Sequence, residues 1–547
     1  MIRPARIQAR PLSGLGELLG TAVPNIPNGS AERHPRLSGV TLDSRQVQPG
    51  DLYAALPGKR AHGADFSGDA VARGAVAILT DPAGRDRAAR HGVPVFVVAS
   101  PRDRLGDVAC WIYGDPSTRM RLIGVTGTSG KTTTSYLAEA GLRAAGHVTG
   151  LIGGVELRAG AERFASKLTT PEAPELQALL AVMAERGVTA AAMEVSSHSL
   201  ALGRVAGTRY DVAVFTNLSQ DHLDFHAGFE DYFRAKAQLF TPRYASVGVV
   251  NVADRYGRRL VTEASVPVTT FCAEPGSDSY WGADWRAQDI RSGSDGSAFR
   301  VIGPGGVEAD ASVTLPGPFN VANSLGAIVA LVEAGIRLED AVAGVASCQG
   351  VPGRLQRVPL PPRGGGASPR SIIRTPRGMP DGGAIVPGMP SGLPDAFIDY
   401  SHKPAAVEAV LRALRAVTAG ELIIVLGCGG DRDRAKRPLM GAAAASLADV
   451  AILTSDNPRS EDPLAILDEM LHGVVDVPQG ERSRVIIEPD RAAAISLAVG
   501  MAGKGDVVLV AGKGHETGQY VGGAVLPFDD ALVTARALAG RPDGELA

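Results

Sequence analysis

Short apolar runs recur along the chain, each followed by an alanine-rich stretch with helical spacing. They are Ala75–Leu79, Val95–Val98, Leu122–Val125, Ala190–Val195, Val212–Thr216, Leu422–Leu426, Val450–Thr454 and Val507–Ala511. A run that is apolar at every position fits a strand covered on both faces, and helices between such strands imply parallel pairing. The pattern predicts an α/β protein with several mostly parallel sheets. A further helix is predicted around Leu325–Ala334. Boundaries are expected near Gly114–Ser117 and near Gly350–Arg354, giving an N-terminal α/β domain over 1–117, a central domain over 118–350 and a C-terminal Rossmann-like domain over 351–547. Residues 361–394 break the pattern, with eight Gly and eight Pro in 34 positions. Such a segment buries too little apolar surface to offset its ordering entropy, so a flexible surface insert is expected.

Composition narrows the picture. At roughly 150 residues per domain, 547 residues allow three or four domains. Lys+Arg is 55 and Asp+Glu is 58, a net charge of −3. That balance argues against a nucleic-acid binder working through a bulk basic field. No apolar run approaches the roughly 18 residues needed to cross a bilayer. The apolar stretch near the N-terminus is broken by Gly14, Gly16 and Glu17, so no secretory signal is expected. Cys110, Cys272, Cys348 and Cys428 lie far apart without a C-x-x-C pair, which suits reduced thiols in a cytoplasmic protein. Gly 67 and Pro 37 together make about 19% of the chain, against about 12% ordinarily.

Some of that glycine sits where chemistry is expected. The strand Leu122–Thr126 runs into Gly127, Thr128, Ser129, Gly130, Lys131, Thr132 and Thr133, and then into a helical pattern. Glycines let backbone N–H groups wrap a phosphate, and the helix N-terminus adds a positive dipole end. Lys131 would reach the β and γ phosphates, and Thr132 would hold Mg²⁺ through its hydroxyl. The general Walker spacing asks for Gly where Val125 stands, so this is a shortened variant. Glu194 ends the strand Ala190–Val195, where parallel sheets present ligand-facing groups, and a carboxylate there suits Mg²⁺. His222 falls just past the end of the next strand.

These motifs resemble, in order, those of the Mur ligases. They include Met193-Glu194-Val195-Ser196-Ser197-His198, Thr216-Asn217 through His222-Leu223-Asp224, Tyr232-Phe233-Arg234-Ala235-Lys236, Pro316-Gly317-Pro318-Phe319-Asn320 with Asn323, Pro352-Gly353-Arg354, and Asp399-Tyr400-Ser401-His402-Lys403-Pro404. The resemblance covers nearly the whole chain outside 361–394 and implies three domains: one for a UDP end, a central ATPase and one for an incoming amino acid. It further implies ATP-driven amide formation, through an acyl phosphate, on the D-Glu γ-carboxylate of UDP-MurNAc-L-Ala-D-Glu. Such an enzyme takes ATP and Mg²⁺ and acts as a cytoplasmic monomer.

The implied site residues follow the motifs. Lys131, Glu194, His222 and Lys236 are the catalytic set. Thr132, Glu194, His222 and Lys236 are the metal side, with Lys236 carboxylated by CO₂. An ammonium cannot ligate Mg²⁺, whereas a carbamate offers anionic oxygens, and forming it needs a neutral amine favoured by burial. Asn320, Asn323, Arg354 and Asp399 join the phosphate loop in binding ATP. Leu42, Ser44, Lys59, Arg60 and Ala61 are implied for the UDP end, and Thr169, Thr170, Ser196 and Arg204 for the muramyl-dipeptide. Leu168 and Leu202 stand where many relatives have Asn and Gln. Arg432, Gly512 and Glu516 are implied amino-acid contacts, with Asp456, Asn457, Pro458 and Arg459 as the mark of diaminopimelate users. A planar guanidinium pairs with a distal carboxylate in a way that Lys does not match. The meso isomer is expected and the LL isomer is the alternative. A folylpolyglutamate-synthase-like ligase and a non-catalytic phosphate-loop switch protein are the competing readings.

Overall fold

The apolar runs form strands within one or two residues of their expected limits, and they pair in parallel. The computed structural model describes residues 2–24, 35–58, 60–166, 168–360 and 392–540. Lys59 and almost all of the expected insert 361–394 lie outside the described residues. The chain forms two compact units, residues 1–290 with 298–313 and 319–348, and residues 291–297 and 314–318 with 349–547.

The first unit holds two α/β sheets. The smaller has four parallel strands in the order Gly39–Thr41, Asp51–Ala55, Ala75–Thr80 and Val95–Val97. In the larger sheet Arg121–Thr126 lies between Ala190–Glu194 and Tyr210–Phe215, and Ala245–Asn251 and Val268–Cys272 continue it in parallel. An antiparallel edge of Leu157–Ala159 and Glu162–Phe164 follows Thr149–Ile152 on the other side. Residue 117 falls between the two sheets. Ala178 and Ala181 of the helix Ala173–Glu185 pack into the core of the smaller sheet, with Leu105 and Val108 of the helix Pro101–Tyr113.

The second unit has a six-stranded sheet in the order Gln356–Arg357, Asp395–Asp399, Val507–Ala511, Leu422–Leu426, Val450–Leu453 and Arg484–Ile487. All its pairs are parallel except the first. Its core joins Ile398, Ile423 and Val508 to Ala494, Ile495 and Ala498 of the helix Arg491–Met501. The hairpin Gly518–Val521 and Ala524–Pro527 stands apart from that sheet. All four cysteines are buried. Among the described residues no helix is long and apolar enough to cross a membrane.

Candidate active site

The strand Arg121–Thr126 delivers the phosphate loop, and the helix Lys131–Ala144 starts directly after it. Gly127 and Gly130 take φ of +148° and +87°, a region where side chains are strained. Both are also crowded: a Cβ on Gly127 would meet Thr216 Oγ1, and one on Gly130 would meet Asn323 Oδ1. The neighbouring strand end fixes the loop. Thr128 N donates to Asn217 O at 2.8 Å, Ser129 N donates to Asn217 Oδ1 at 3.0 Å, and Thr216 Oγ1 donates to Ser129 O at 2.6 Å. Lys131 Nζ donates to the carbonyls of Gly127 (2.9 Å) and Thr128 (2.8 Å), so its charge sits over the loop. Thr133 is buried in the first turn of the helix. Asn323 of the helix Pro318–Glu333 lies against Gly130 of the loop, and its Nδ2 donates to Asn320 Oδ1.

Glu194 and Thr132 meet at the loop. Parallel register sets Glu194 opposite Val125, and Thr132 Oγ1 donates to Glu194 Oε2 at 3.0 Å. Gly154 N donates to the other carboxylate oxygen at 2.9 Å. A carboxylate and a hydroxyl at a helix N-terminus are hard oxygen donors of the kind Mg²⁺ takes, so these two residues fit the ion. Among the described residues no three His, Cys, Asp or Glu side chains form a metal-holding group. His222 has φ +53°, and its Nε2 lies 3.1 Å from Asp221 Oδ2. Its ring meets His198 edge-on at 4.7 Å, and His198 stacks on Phe225 at 4.1 Å. Burial, then the nearby His226 and Arg204, holds the His198 imidazole below its ordinary value.

Lys236 is buried in the helix Phe229–Ala237, and its Nζ donates to Gly127 O at 2.8 Å. One turn earlier Tyr232 places its ring 4.6 Å from that Nζ and its hydroxyl 3.0 Å from Thr128 Oγ1. The helix thus touches two consecutive loop residues through side chains four positions apart. Tyr232 and Asn217 lie inside recognised motifs but carried no expected role. Their spacing to Lys236 and to the strand end was the available signal.

Of the residues expected to hold the muramyl-dipeptide, Thr169, Thr170 and Ser196 lie near Glu194, and Arg204 lies at Glu172. Thr170 Oγ1 donates to Glu194 O at 2.9 Å and accepts from Ser196 N at 3.2 Å. Ser196 caps the helix Ser197–Ala201. Thr169 lies close to Gly154. Arg204 Nε lies 2.9 Å from Glu172 Oε1, and Arg102 pairs with the other Glu172 oxygen. Leu168 is exposed.

In the smaller sheet, Leu42 follows the strand Gly39–Thr41, and Ser44 opens the short helix Ser44–Gln46 capped by Asp43. The Arg45 guanidinium draws the Asp43 carboxyl down to about 2. Arg60 and Ala61 are exposed, and Gly58 N donates to Ala61 O.

In the second unit three strand-end loops converge. Arg459 Nη1 donates to Gly430 O at 2.6 Å, and Gly429 packs near both Arg459 and Arg432. Asn457 Nδ2 donates to Glu516 Oε2 at 2.9 Å. Asp456 lies against Gly512, whose φ is +110°, and burial pushes its carboxyl above the ordinary value. Pro458 and Arg432 complete the loops, with Arg432 exposed. Arg354 stacks on Tyr400 at 4.6 Å. The buried Asp399 accepts from Leu355 N at 2.7 Å and Ser401 N at 2.8 Å, and burial raises its pKa despite those bonds. The signal missed here is Lys513, wholly buried within the same loops.

A braced phosphate loop with a carboxylate at the adjacent strand end, on a mostly parallel sheet, defines an NTP-using enzyme of the α/β class. Residues 36–112 match the catalytic domain of the Mur ligase family, 125–331 the Mur ligase middle domain and 391–514 the glutamate ligase domain. The UDP-N-acetylmuramoyl-L-alanyl-D-glutamate–2,6-diaminopimelate ligases of Streptomyces avermitilis and Streptomyces coelicolor are each 56% identical to this chain, over 98% of both partners. A solved structure of a ligase of that name is 30% identical, with a TM-score of 0.64, covering 98% of this chain and 99% of its own. The chain belongs to the Mur ligase family.

Proposed function

We propose that the protein joins diaminopimelate, in its meso form, to the D-Glu γ-carboxylate of UDP-MurNAc-L-Ala-D-Glu at the expense of ATP. The observation carrying this reading is the convergence of Arg459, Asn457 and Asp456 with Gly512 and Glu516, at strand ends on either side of Leu422–Leu426, in a chain that also has the braced phosphate loop. Residues 1–117 would hold the UDP end, 118–350 ATP, and 351–547 the amino acid.

The loop N–H groups and Lys131 bind and neutralise the phosphates, which lets the substrate carboxylate approach the γ-phosphate. Thr132 and Glu194 would hold Mg²⁺, with His222 and a carboxylated Lys236 as the proposed further groups. When bound, the ion supplies charge neutralisation at the transferring phosphoryl group. Attack by the substrate carboxylate on that group releases ADP and forms an acyl phosphate. The amine of diaminopimelate then displaces phosphate. Arg204 and Ser196 orient the peptide, while Arg459 reads the distal carboxylate and Glu516 the ammonium.

A turnover assay across meso-diaminopimelate, LL-diaminopimelate, lysine and ornithine tests the reading. ADP release should need both the UDP-dipeptide and diaminopimelate, fastest with the meso isomer. Release with folate and glutamate instead would establish the folylpolyglutamate reading, and nucleotide binding without turnover the switch reading. Lys236→Ala should abolish ligation, and retained activity would remove the carbamate.

A further inference from the structure

We infer that Lys513 is the positioning residue of the amino-acid pocket, a buried ammonium that sets the direction of the Asn457 amide and holds the Asn457 loop in register with its own. This rests on the reading that the pocket takes diaminopimelate. Lys513 is 0% exposed. Its ammonium has three donors and no acceptor, and three acceptors surround it: Asn457 Oδ1 at 3.0 Å, Glu516 Oε2 at 3.1 Å and Gly518 O at 2.7 Å.

An amide can present its oxygen or its nitrogen to a neighbour, and nothing intrinsic to Asn457 decides which. Here the neighbours decide. Lys513 Nζ only donates, and Tyr520 N, 3.0 Å from the same oxygen, also only donates. The Asn457 oxygen must face them, so its Nδ2 must face Glu516. Glu516 Oε2 is then occupied twice, while the side chain remains 31% exposed for a cationic group of the substrate.

The same ammonium anchors the hairpin behind the carboxylate-reading residue. Lys513 binds Gly518 O at the start of the strand Gly518–Val521. Two residues on, Tyr520 O accepts from Arg459 N at 2.8 Å, and Gly522 N donates to Arg459 O at 2.7 Å. Arg459 has φ +54°, a conformation a non-glycine residue keeps only when its surroundings impose it. Lys513 thus reaches Arg459 through the hairpin and Glu516 directly.

Steady-state kinetics of K513M tests this. Met keeps the length and removes the donors. Its KM for diaminopimelate should rise at least tenfold, while the KM values for ATP and the UDP-dipeptide stay within twofold. In an N457A background the same change should raise the diaminopimelate KM by clearly less than in the wild-type background, because the amide it orients is gone and only its bonds to Glu516 and Gly518 remain to be lost. An unchanged diaminopimelate KM, a parallel rise of all three KM values, or the full effect persisting in N457A overturns the inference. If K513M does not accumulate as folded protein, E516Q is compared with K513M/E516Q, in which the charge imbalance is removed. A further tenfold rise is expected there, and equal KM values overturn the inference. Wild-type protein without diaminopimelate-dependent ADP release would sink the proposed function itself, a result distinct from any of these.

Discussion

At the scale of single residues, the proposed pocket depends on shape as much as on charge. Arg459 presents a flat fork whose Nη1 is already held by Gly430 O. Lys in its place would keep the charge and lose the paired geometry. Charge-assisted bonds of this kind are worth roughly 1.5–3 kcal/mol. Arg459→Lys should therefore raise the KM for diaminopimelate by about tenfold to a hundredfold and narrow its preference over lysine. Competition assays with both amino acids check this, and unchanged discrimination would move the reading of the distal carboxylate to another group. The places of the residues proposed for such roles were legible where a motif follows a strand, as with Lys131, Glu194 and Arg459. Lys513 was not, because its partner Asn457 lies 56 positions away. No local pattern announces a partner so remote.

At the scale of elements, the strands were legible because runs buried on both faces are apolar throughout. Their ends were less so. The strand Tyr210–Phe215 begins two residues early, since Asp211 is spent on Leu122 N at 2.7 Å and Tyr210 is buried against Gly124. The helix expected around Leu325–Ala334 begins at Pro318 because its first turns carry Asn320, Asn323 and Ser324. These are polar yet buried, and Asn323 lies against Gly130 of the phosphate loop. That packing makes a sharp prediction at the loop-to-helix junction. Gly130→Ala would force a Cβ into a left-handed backbone, at a cost of about 1–2 kcal/mol, and also against Asn323 Oδ1. The strain falls where N–H groups must face phosphate. Calorimetric titration with a non-hydrolysable ATP analogue should show binding lost in a protein whose circular dichroism is unchanged. Wild-type affinity would mean that the loop tolerates displacement.

At the scale of the whole molecule, two sets of carboxylates respond to pH in opposite directions. Asp43, Glu230 and Glu461 are each drawn down to about 2 by guanidinium partners, first Arg45, Arg259 and Arg437 respectively. Their contribution to stability is present above the ordinary carboxylate range near pH 4 and is lost as pH falls through about 2. The buried Asp399 and Asp456 have raised pKa values. Their contribution is present below about pH 4 and is lost as pH rises through their folded values, so at neutral pH they weaken the second unit. Asp456 shows the consequence most directly. Burial outweighs the attraction of Arg491 and Lys513, and the carboxylate occupies a loop of the proposed amino-acid pocket. Such a cost at the proposed pocket would be the familiar exchange of stability for function. Asp456→Asn should therefore raise the unfolding temperature of the second unit at pH 7.5, with the gain shrinking toward zero as pH approaches 4. The same variant should bind diaminopimelate more weakly. Calorimetric melting across pH 4–8, with KM measured at pH 7.5, checks both arms. A variant less stable than wild type at neutral pH would show instead that Arg491 and Lys513 together overcome the burial of Asp456.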